Sequence, residues 1–180
     1  LGIIGMSEGN GHPYSWSAIF NGFDKDEMSK CPFPIIPDYL SEQKFPDNYL
    51  SELGEVTHIW TQDLGISSSV AKASRISGIC DRPEEMIGSI DALLLARDDA
   101  ENHYKHAYPF LKAGIPVYID KPFALSIEDA HKLWDTCLYP NQIFSCSALQ
   151  FAHEFNLRKI EGIGKVKYIW ATIPKSWEKY

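Results

Sequence analysis

The chain has 180 residues, 44% hydrophobic and 23% charged, with a formal net charge of −7. That is the make-up of a soluble globular protein, long enough for one full domain and part of another. The negative balance argues against a nucleic-acid partner, which asks for a basic face, and no apolar run approaches the roughly 20 residues that span a bilayer.

Leu1-Gly2-Ile3-Ile4-Gly5 is too short for a signal peptide and lacks a basic flank, so it reads as a strand entered directly. Turn chemistry follows in Met6-Ser7-Glu8-Gly9-Asn10-Gly11-His12, and a helix is expected from Pro13 or Tyr14, because proline suits a first turn. Trp16, Ile19 and Phe20 are its expected inner face, and Asn21-Gly22 stops it. Strand, glycine-rich turn and helix make the first half of a dinucleotide-binding unit. Glycines let the backbone approach a pyrophosphate, and a helix amino terminus offers free N–H groups and a favourable dipole. The spacing departs from G-x-G-x-x-G, since Ser7 stands where a glycine is usual and the further glycines are Gly9 and Gly11. Such a turn also occurs without any ligand.

Residues 25–55 carry four prolines, Pro32, Pro34, Pro37 and Pro46, among aromatics, and read as a surface insertion. Val56–Thr61 is β-branched and aromatic, hence a strand, and it closes at Gln62-Asp63. An acid in that place hydrogen-bonds the adenosine ribose in a dinucleotide fold. Asp63 is the candidate, and the absence of a nearby following arginine favours NAD over NADP; a solvated strand-end aspartate is the alternative. Ser67, Ser68 and Ser69 offer caps for a helix with Val70, Ala73 and Ile76 inward, and a short strand is expected at Ile79-Cys80.

Pro83–Ile87 opens a brief helix. Asp91–Ala96 is apolar on both faces, as central parallel strands are, and breaks at Arg97-Asp98-Asp99. The helix from about Ala100 to Ala113 should bury Tyr104, Ala107, Tyr108 and Leu111, kink at Pro109 and end at Gly114. His103 sits in its first turn, usually a surface place, and the neighbouring strand ends make it a candidate lining residue. Ile115–Ile119 is the fifth strand and ends in Asp120-Lys121-Pro122. In an open α/β sheet, ligands sit beyond the carboxyl ends of the strands, where these residues project. Ser126 to Asp129 resembles a capping box with Asp in place of Glu, for a helix burying Ile127, Ala130, Leu133, Trp134 and Cys137. Ile143–Leu149 is the sixth strand. The alternation specifies an α/β fold, a Rossmann-type doubly wound parallel sheet. Four scattered cysteines, Cys31, Cys80, Cys137 and Cys146, without a C-x-x-C pair make a zinc site or disulfide framework unexpected, and a cytoplasmic setting is the plain inference.

A short helix over Phe155–Glu161 and a strand over Lys165–Ile173 are expected to start a second α/β domain. Residues 1–122 then form the dinucleotide-binding domain, and residues 123–180 its last helix and strand plus the truncated start of that second domain. The chain reads as a fragment of a longer protein, inactive alone.

Several residues converge in order: Leu1-Gly2-Ile3-Ile4-Gly5, Ile90-Asp91-Ala92-Leu93, His103, Ala113–Val117, Asp120-Lys121-Pro122 and Gly162–Val166. Together they resemble the glucose-fructose oxidoreductase / inositol dehydrogenase / MocA family of NAD(P)-dependent oxidoreductases, over nearly the whole chain apart from residues 25–55. The most specific element is Asp120-Lys121-Pro122, usually Glu-Lys-Pro. The resemblance implies NAD or NADP as cofactor, hydride transfer to or from a sugar, cyclitol or related small alcohol, and a homo-oligomer formed through the carboxy-terminal domain. It implies that Lys121 is catalytic and bonds the substrate hydroxyl or the nicotinamide ribose. Asp120 and Pro122 would help to shape that end of the site, and Arg97, Asp98 and His103 would line the nicotinamide end. Gly5, Met6, Ser7, Gly9, Asn10, Gly11 and His12 would hold the pyrophosphate. A second catalytic group, an Asp and His pair, is expected beyond Tyr180.

Oxidising a carbinol needs its hydroxyl proton to leave as the hydride goes. A lysine serves either as a base, shifted towards neutrality by desolvation, or as a charged stabiliser of the alkoxide. Two alternatives accompany the dehydrogenase: a lyase or glycosidase-type enzyme using transient oxidation, and a ligand-sensing regulator without turnover.

Overall fold

In the computed structural model, the described residues are 1–44, 47, 49–152, 164, 165, 167–170 and 172. The chain divides into two compact units, Leu1–Ser145 and Cys146–Tyr180.

The first unit is a six-stranded, all-parallel sheet with strand order β3-β2-β1-β4-β5-β6. Its strands are β1 (Gly2–Ile4), β2 (His58–Trp60), β3 (Gly78–Ile79), β4 (Leu93–Leu95), β5 (Val117–Ile119) and β6 (Ile143–Phe144). The helices are α1 (His12–Asn21), α2 (Lys25–Met28), α3 (Ile35–Ser41), α4 (Leu64–Ala73), α5 (His103–Lys112) and α6 (Ile127–Thr136), with 3-10 turns at Pro83–Met86 and Ala100–Asn102. The doubly wound sheet is the one expected.

Period-2 alternation along each strand splits the core into two layers. Ile3 and Ile59 join Tyr14, Ala18, Leu40, Val70 and Ala73 on one face. Ile4, Leu93, Leu95, Val117 and Ile119 join Phe110, Leu111 and Leu133 on the other. The sheet is therefore covered on both faces, and its carboxyl ends remain for the loops that carry chemistry.

Several local expectations are corrected. Residues 25–55 are no mere surface excursion: Met28, Cys31, Ile36 and Leu40 are buried in the first core layer. Asp24 caps α2 by accepting from Asp26 N and Glu27 N, which lets this short segment form a helical turn. Because α3 and α4 flank α1, its closest contacts fall to Tyr14, Ser17 and Ala18, while Trp16, Ile19 and Phe20 are only partly buried. Helix α4 is capped by Asp63, which accepts from Ile66 N, and not by Ser67–Ser69. Helix α5 runs through Pro109 and buries His103, His106, Ala107, Phe110 and Leu111; Tyr108 is exposed. Gly114 adopts φ +80° just past it, the left-handed conformation glycine supplies at helix ends.

Helix α6 departs most. It packs against α5 with Leu133 and Thr136 buried, while Ile127 and Trp134 are 80% and 57% exposed. Ser126 caps it as expected, accepting from Asp129 N at 3.0 Å, and the Asp129 carboxylate bonds the same hydroxyl at 2.8 Å. The sixth strand is two residues, not seven.

In the second unit, the described residues form a 3-10 turn at Ala148–Phe151, capped by Ser147. The expected helix at 155–161 lies outside the described residues. Of the expected strand at 165–173, residues 165, 167–170 and 172 are described and carry no strand. No helix among the described residues is long and apolar enough to cross a membrane.

Candidate functional site

Three strand-end segments meet at the carboxyl edge of the sheet: the turn after β1, the loop after β4 and the segment after β5. The turn starts where Gly5 N donates to Trp60 O at 3.1 Å, continuing the ladder one residue past β1. A β-carbon on Gly5 would run into the Pro13 ring, and one on Gly11 would sit 2.5 Å from Ile36 and 2.6 Å from Phe33. These two glycines are required by close packing beneath the turn. Gly9 differs: it has φ +76° and nothing within 4 Å of an added β-carbon, so this side of the turn is open.

The polar residues of the turn are tied to the other two segments. Ser7 Oγ donates to Asp98 Oδ1 at 2.6 Å and accepts from Asp98 N at 3.0 Å. Asn10 Nδ2 donates to Asp120 Oδ2 at 3.1 Å, and His12 Nδ1 lies 2.6 Å from the same oxygen. Asp120 Oδ1 accepts from Lys121 N at 2.7 Å. Asp120 is only 2% exposed, so this carboxylate is buried but bonded through both oxygens, as a buried charge must be.

Arg97 is a second tie. Its Nε and Nη2 donate to the two oxygens of Asp99 at 2.8 and 2.6 Å, a bidentate pair. Its Nη1 donates to Met6 O at 3.2 Å and Gln62 Oε1 at 3.1 Å. Gln62 also grips the Met6 backbone from both sides, accepting from its N–H at 3.1 Å and donating to its carbonyl at 2.6 Å. Burial pushes the Asp99 carboxyl up, but the bonds from Arg97 and Asn102 and the Arg97 charge outweigh it and hold the group below its usual range.

His103 is fully buried. Its ring nitrogens face Phe123 O at 3.1 Å and Arg97 O at 2.8 Å, so it joins the loops after β4 and β5 from within and presents no open nitrogen to a crevice. Asp63 stands exposed at the end of β2 with Oδ1 engaged as the α4 cap. The structure thus brings Met6, Ser7, Asn10, His12, Arg97, Asp98 and Asp120 into one hydrogen-bonded set, with Lys121 and Pro122 directly after it. Gly9 faces outward, Asp63 lies outside the set, and His103 joins it from within through Arg97 O.

Gln62, Asp99 and Trp16 were missed as site residues. Gln62 and Asp99 each neighbour a residue singled out as a strand-end candidate, and that adjacency was their only signal. Trp16 stacks on His12 with ring centroids 4.8 Å apart; its place on an apolar stripe marked it as core. A cavity of about 590 Å³ lined by residues including Phe23, Met28, Leu40 and Arg75 shares no residue with this set.

The geometry suits a dinucleotide. Helix α1 begins without a side-chain cap, Gly9 leaves the turn open, and both occur beside the central strand of a parallel sheet, the arrangement that receives a pyrophosphate. The His12 N–H is an exception, since it already donates to Asn10 Oδ1 at 2.8 Å.

Strand order and strand-end geometry together define an α/β protein of Rossmann type. The chain belongs to the Gfo/Idh/MocA oxidoreductase family with an NAD-binding Rossmann fold, whose family model matches residues 36–147. That span includes part of the 25–55 segment, which was expected to fall outside the resemblance, and excludes the glycine turn. Among solved structures, the chain is similar to scyllo-inositol dehydrogenase from Lactobacillus casei with bound NAD(H) and scyllo-inositol, with TM-score 0.56, 13% identity, 84% of this chain and 37% of that one. It is also similar to myo-inositol 2-dehydrogenase from Lactobacillus plantarum, with TM-score 0.55, 12% identity, and 84% and 37% covered. A Gfo/Idh/MocA family oxidoreductase from Vibrio cholerae gives TM-score 0.53, 16% identity, and 81% and 37% covered. At these identities the likeness is one of fold, and the chain spans little more than a third of those chains. No curated protein matches it in sequence.

One buried histidine makes stability depend on pH. Burial, aided by the Arg97 charge, pushes His106 down to about 4. The unfolded chain therefore takes up this proton first, at an ordinary value near 6.5, so the contribution is complete above 6.5 and lost as pH falls towards 4. We expect denaturation midpoints to drop between pH 7 and pH 4.5 by more in the wild type than in His106→Phe, a difference on the order of 2 kcal/mol. Equal losses in the two proteins would remove His106 from the account.

Proposed function

We propose that this chain is the nicotinamide-nucleotide part of a dehydrogenase that transfers a hydride between NAD and a hydroxyl carbon of a sugar, cyclitol or related small alcohol. The observation that carries the reading is the convergence of the glycine turn, the Arg97-Asp98 loop and Asp120-Lys121 on one edge of a parallel sheet. Family membership supports the cofactor class, and inositol dehydrogenases among the fold neighbours support the alcohol class.

The residues divide the work. The backbone from Gly5 to His12, open at Gly9, faces the pyrophosphate, and Asp63 serves the adenosine ribose while its other oxygen caps α4. An acid there accepts from a 2′-hydroxyl and repels a 2′-phosphate, which favours NAD over NADP. Bound NAD supplies the hydride acceptor. Asp98 and Asp120 shape the nicotinamide end, and Lys121, carried at the carboxyl end of β5, bonds the hydroxyl being oxidised. Residues 123–145 complete the nucleotide domain, and the unit from Cys146 begins the substrate domain, through which copies of the protein assemble in the cytoplasm.

The test is a fluorescence titration of the chain with NADH and with NADPH. NADH is expected to bind the more tightly, and Asp63→Ala to narrow the difference. Binding of neither nucleotide would overturn the proposal.

A further inference from the structure

We propose that Gln62 is a positioning residue for the dinucleotide, holding the ribose acceptor at the end of β2 and the turn after β1 in one fixed register. This role rests on the dehydrogenase reading, and Gln62 acts in it through its neighbours.

The ladder between β1 and β2 closes where Gly5 N donates to Trp60 O at 3.1 Å. Past that point, Gln62 makes the only hydrogen bonds among the described residues that join residues 6–11 to the segment after β2. Its Oε1 accepts from Met6 N at 3.1 Å and its Nε2 donates to Met6 O at 2.6 Å, so one side chain spans both ends of a single residue. The amide fits only this way round. Its oxygen faces two donors, Met6 N–H and Arg97 Nη1 at 3.1 Å, and its nitrogen faces a carbonyl. Arg97 Nη1 also donates to Met6 O at 3.2 Å, and Asp99 holds the guanidinium from behind. The loop after β4 therefore braces the junction from a third side.

The residue after Gln62 is Asp63, and it is fixed to α4. Its backbone carbonyl accepts from Ser67 N at 3.0 Å and from Thr61 Oγ1 at 2.6 Å, and its Oδ1 accepts from Ile66 N at 3.0 Å. Oδ2 makes no hydrogen bond to any described residue, and it is the oxygen left for a ribose hydroxyl. A dinucleotide carries its ribose and its pyrophosphate at a separation set by covalent bonds. Binding gains from both contacts at once only if the protein presents them at that separation. Asp63 is anchored to α4 and the turn to β1, and Gln62 is the tie between the two. Its side chain is exposed, so removing the amide opens no buried cavity.

The test is the NADH and NADPH affinity of the full-length wild type, Gln62→Met, Asp63→Ala and the double variant, with melting temperatures measured alongside. Methionine keeps the length of the side chain and removes its hydrogen bonds. Gln62→Met is expected to melt close to the wild type and to weaken NADH binding by about 10-fold, the size of effect that one or two hydrogen bonds produce. NADPH binding should weaken less, because the two nucleotides share the pyrophosphate and differ at the ribose that Asp63 reads. In the Asp63→Ala background the same change should weaken NADH by about 2-fold or less, since the register then has no ribose contact to serve. Gln62→Asn, a methylene too short to span Met6 and still polar, should repeat the pattern of Gln62→Met. Equal losses for the two nucleotides, or equal NADH losses in the two Asp63 backgrounds, would mean that Gln62 only stiffens the turn, and would overturn the proposal. Unchanged NADH affinity in both Gln62 variants overturns it as well and leaves the dehydrogenase reading standing. A wild type that binds neither nucleotide overturns that reading and this role with it.

Discussion

On the proposed dehydrogenase reading, replacing Lys121 by alanine is expected to lower kcat for oxidation of the alcohol substrate by about 10²–10⁴-fold, the range lost when a positioned acid–base or charge-stabilising group is removed. The backbone of Lys121 is fixed by the Asp120 carboxylate at 2.7 Å, and that carboxylate is fixed by two residues of the glycine turn. Its side chain therefore leaves the sheet from a defined point at the carboxyl end of β5. Because Lys121 itself is only half-buried, the alanine variant should melt close to the wild type, which separates lost chemistry from lost structure. Lys121→Arg should recover little, since a planar fork does not replace a compact ammonium. Unchanged turnover in Lys121→Ala would remove this residue from the mechanism.

Asp99→Ala is expected to cost about 3–5 kcal/mol of stability, the usual penalty for leaving one half of a buried ion pair alone. The side chains of Arg97 and Asp99 are 10% and 18% exposed and meet in two parallel bonds. Without Asp99, the guanidinium keeps Met6 O and Gln62 Oε1, two neutral acceptors that cannot balance its charge. Urea denaturation at neutral pH measures the loss. A double variant, Arg97→Met with Asp99→Leu, should recover much of it because no charge is then stranded. A loss below about 1 kcal/mol in Asp99→Ala would mean that the pair behaves like an exposed one.

The sheet was legible because its strands are short apolar runs between turn residues, and β4 and β5 are apolar on both faces. Asp120-Lys121 was legible because an acid and a lysine close one of those runs. The partners were not. The 91-residue separation of Ser7 from Asp98 and the 110-residue separation of Asn10 from Asp120 are set by strand order, which periodicity does not report. Gln62 went unseen because its neighbour Asp63 carries the charge that draws a ribose reading, and in the structure Asp63 is an α4 cap. His103 was read as lining the site because strand ends lie beside it; in the structure it is buried, with both ring nitrogens turned to backbone carbonyls. Helix α6 failed for another reason. Its apolar spacing is that of a helix with a broad buried face, but only Leu133 and Thr136 are buried, and Ile127 and Trp134 remain outside.

The ties from the turn to Asp120 and Arg97 bear on how this domain could be re-engineered. Grafting a regular G-x-G-x-x-G loop over residues 5–12 would seem a simple way to change cofactor grip. It would also delete Asn10 and His12, strip the buried Asp120 of two of its three bonds, and loosen the segment that carries Lys121. The glycine turn and the Lys121 segment are exchangeable only together, as one cassette with Asp120.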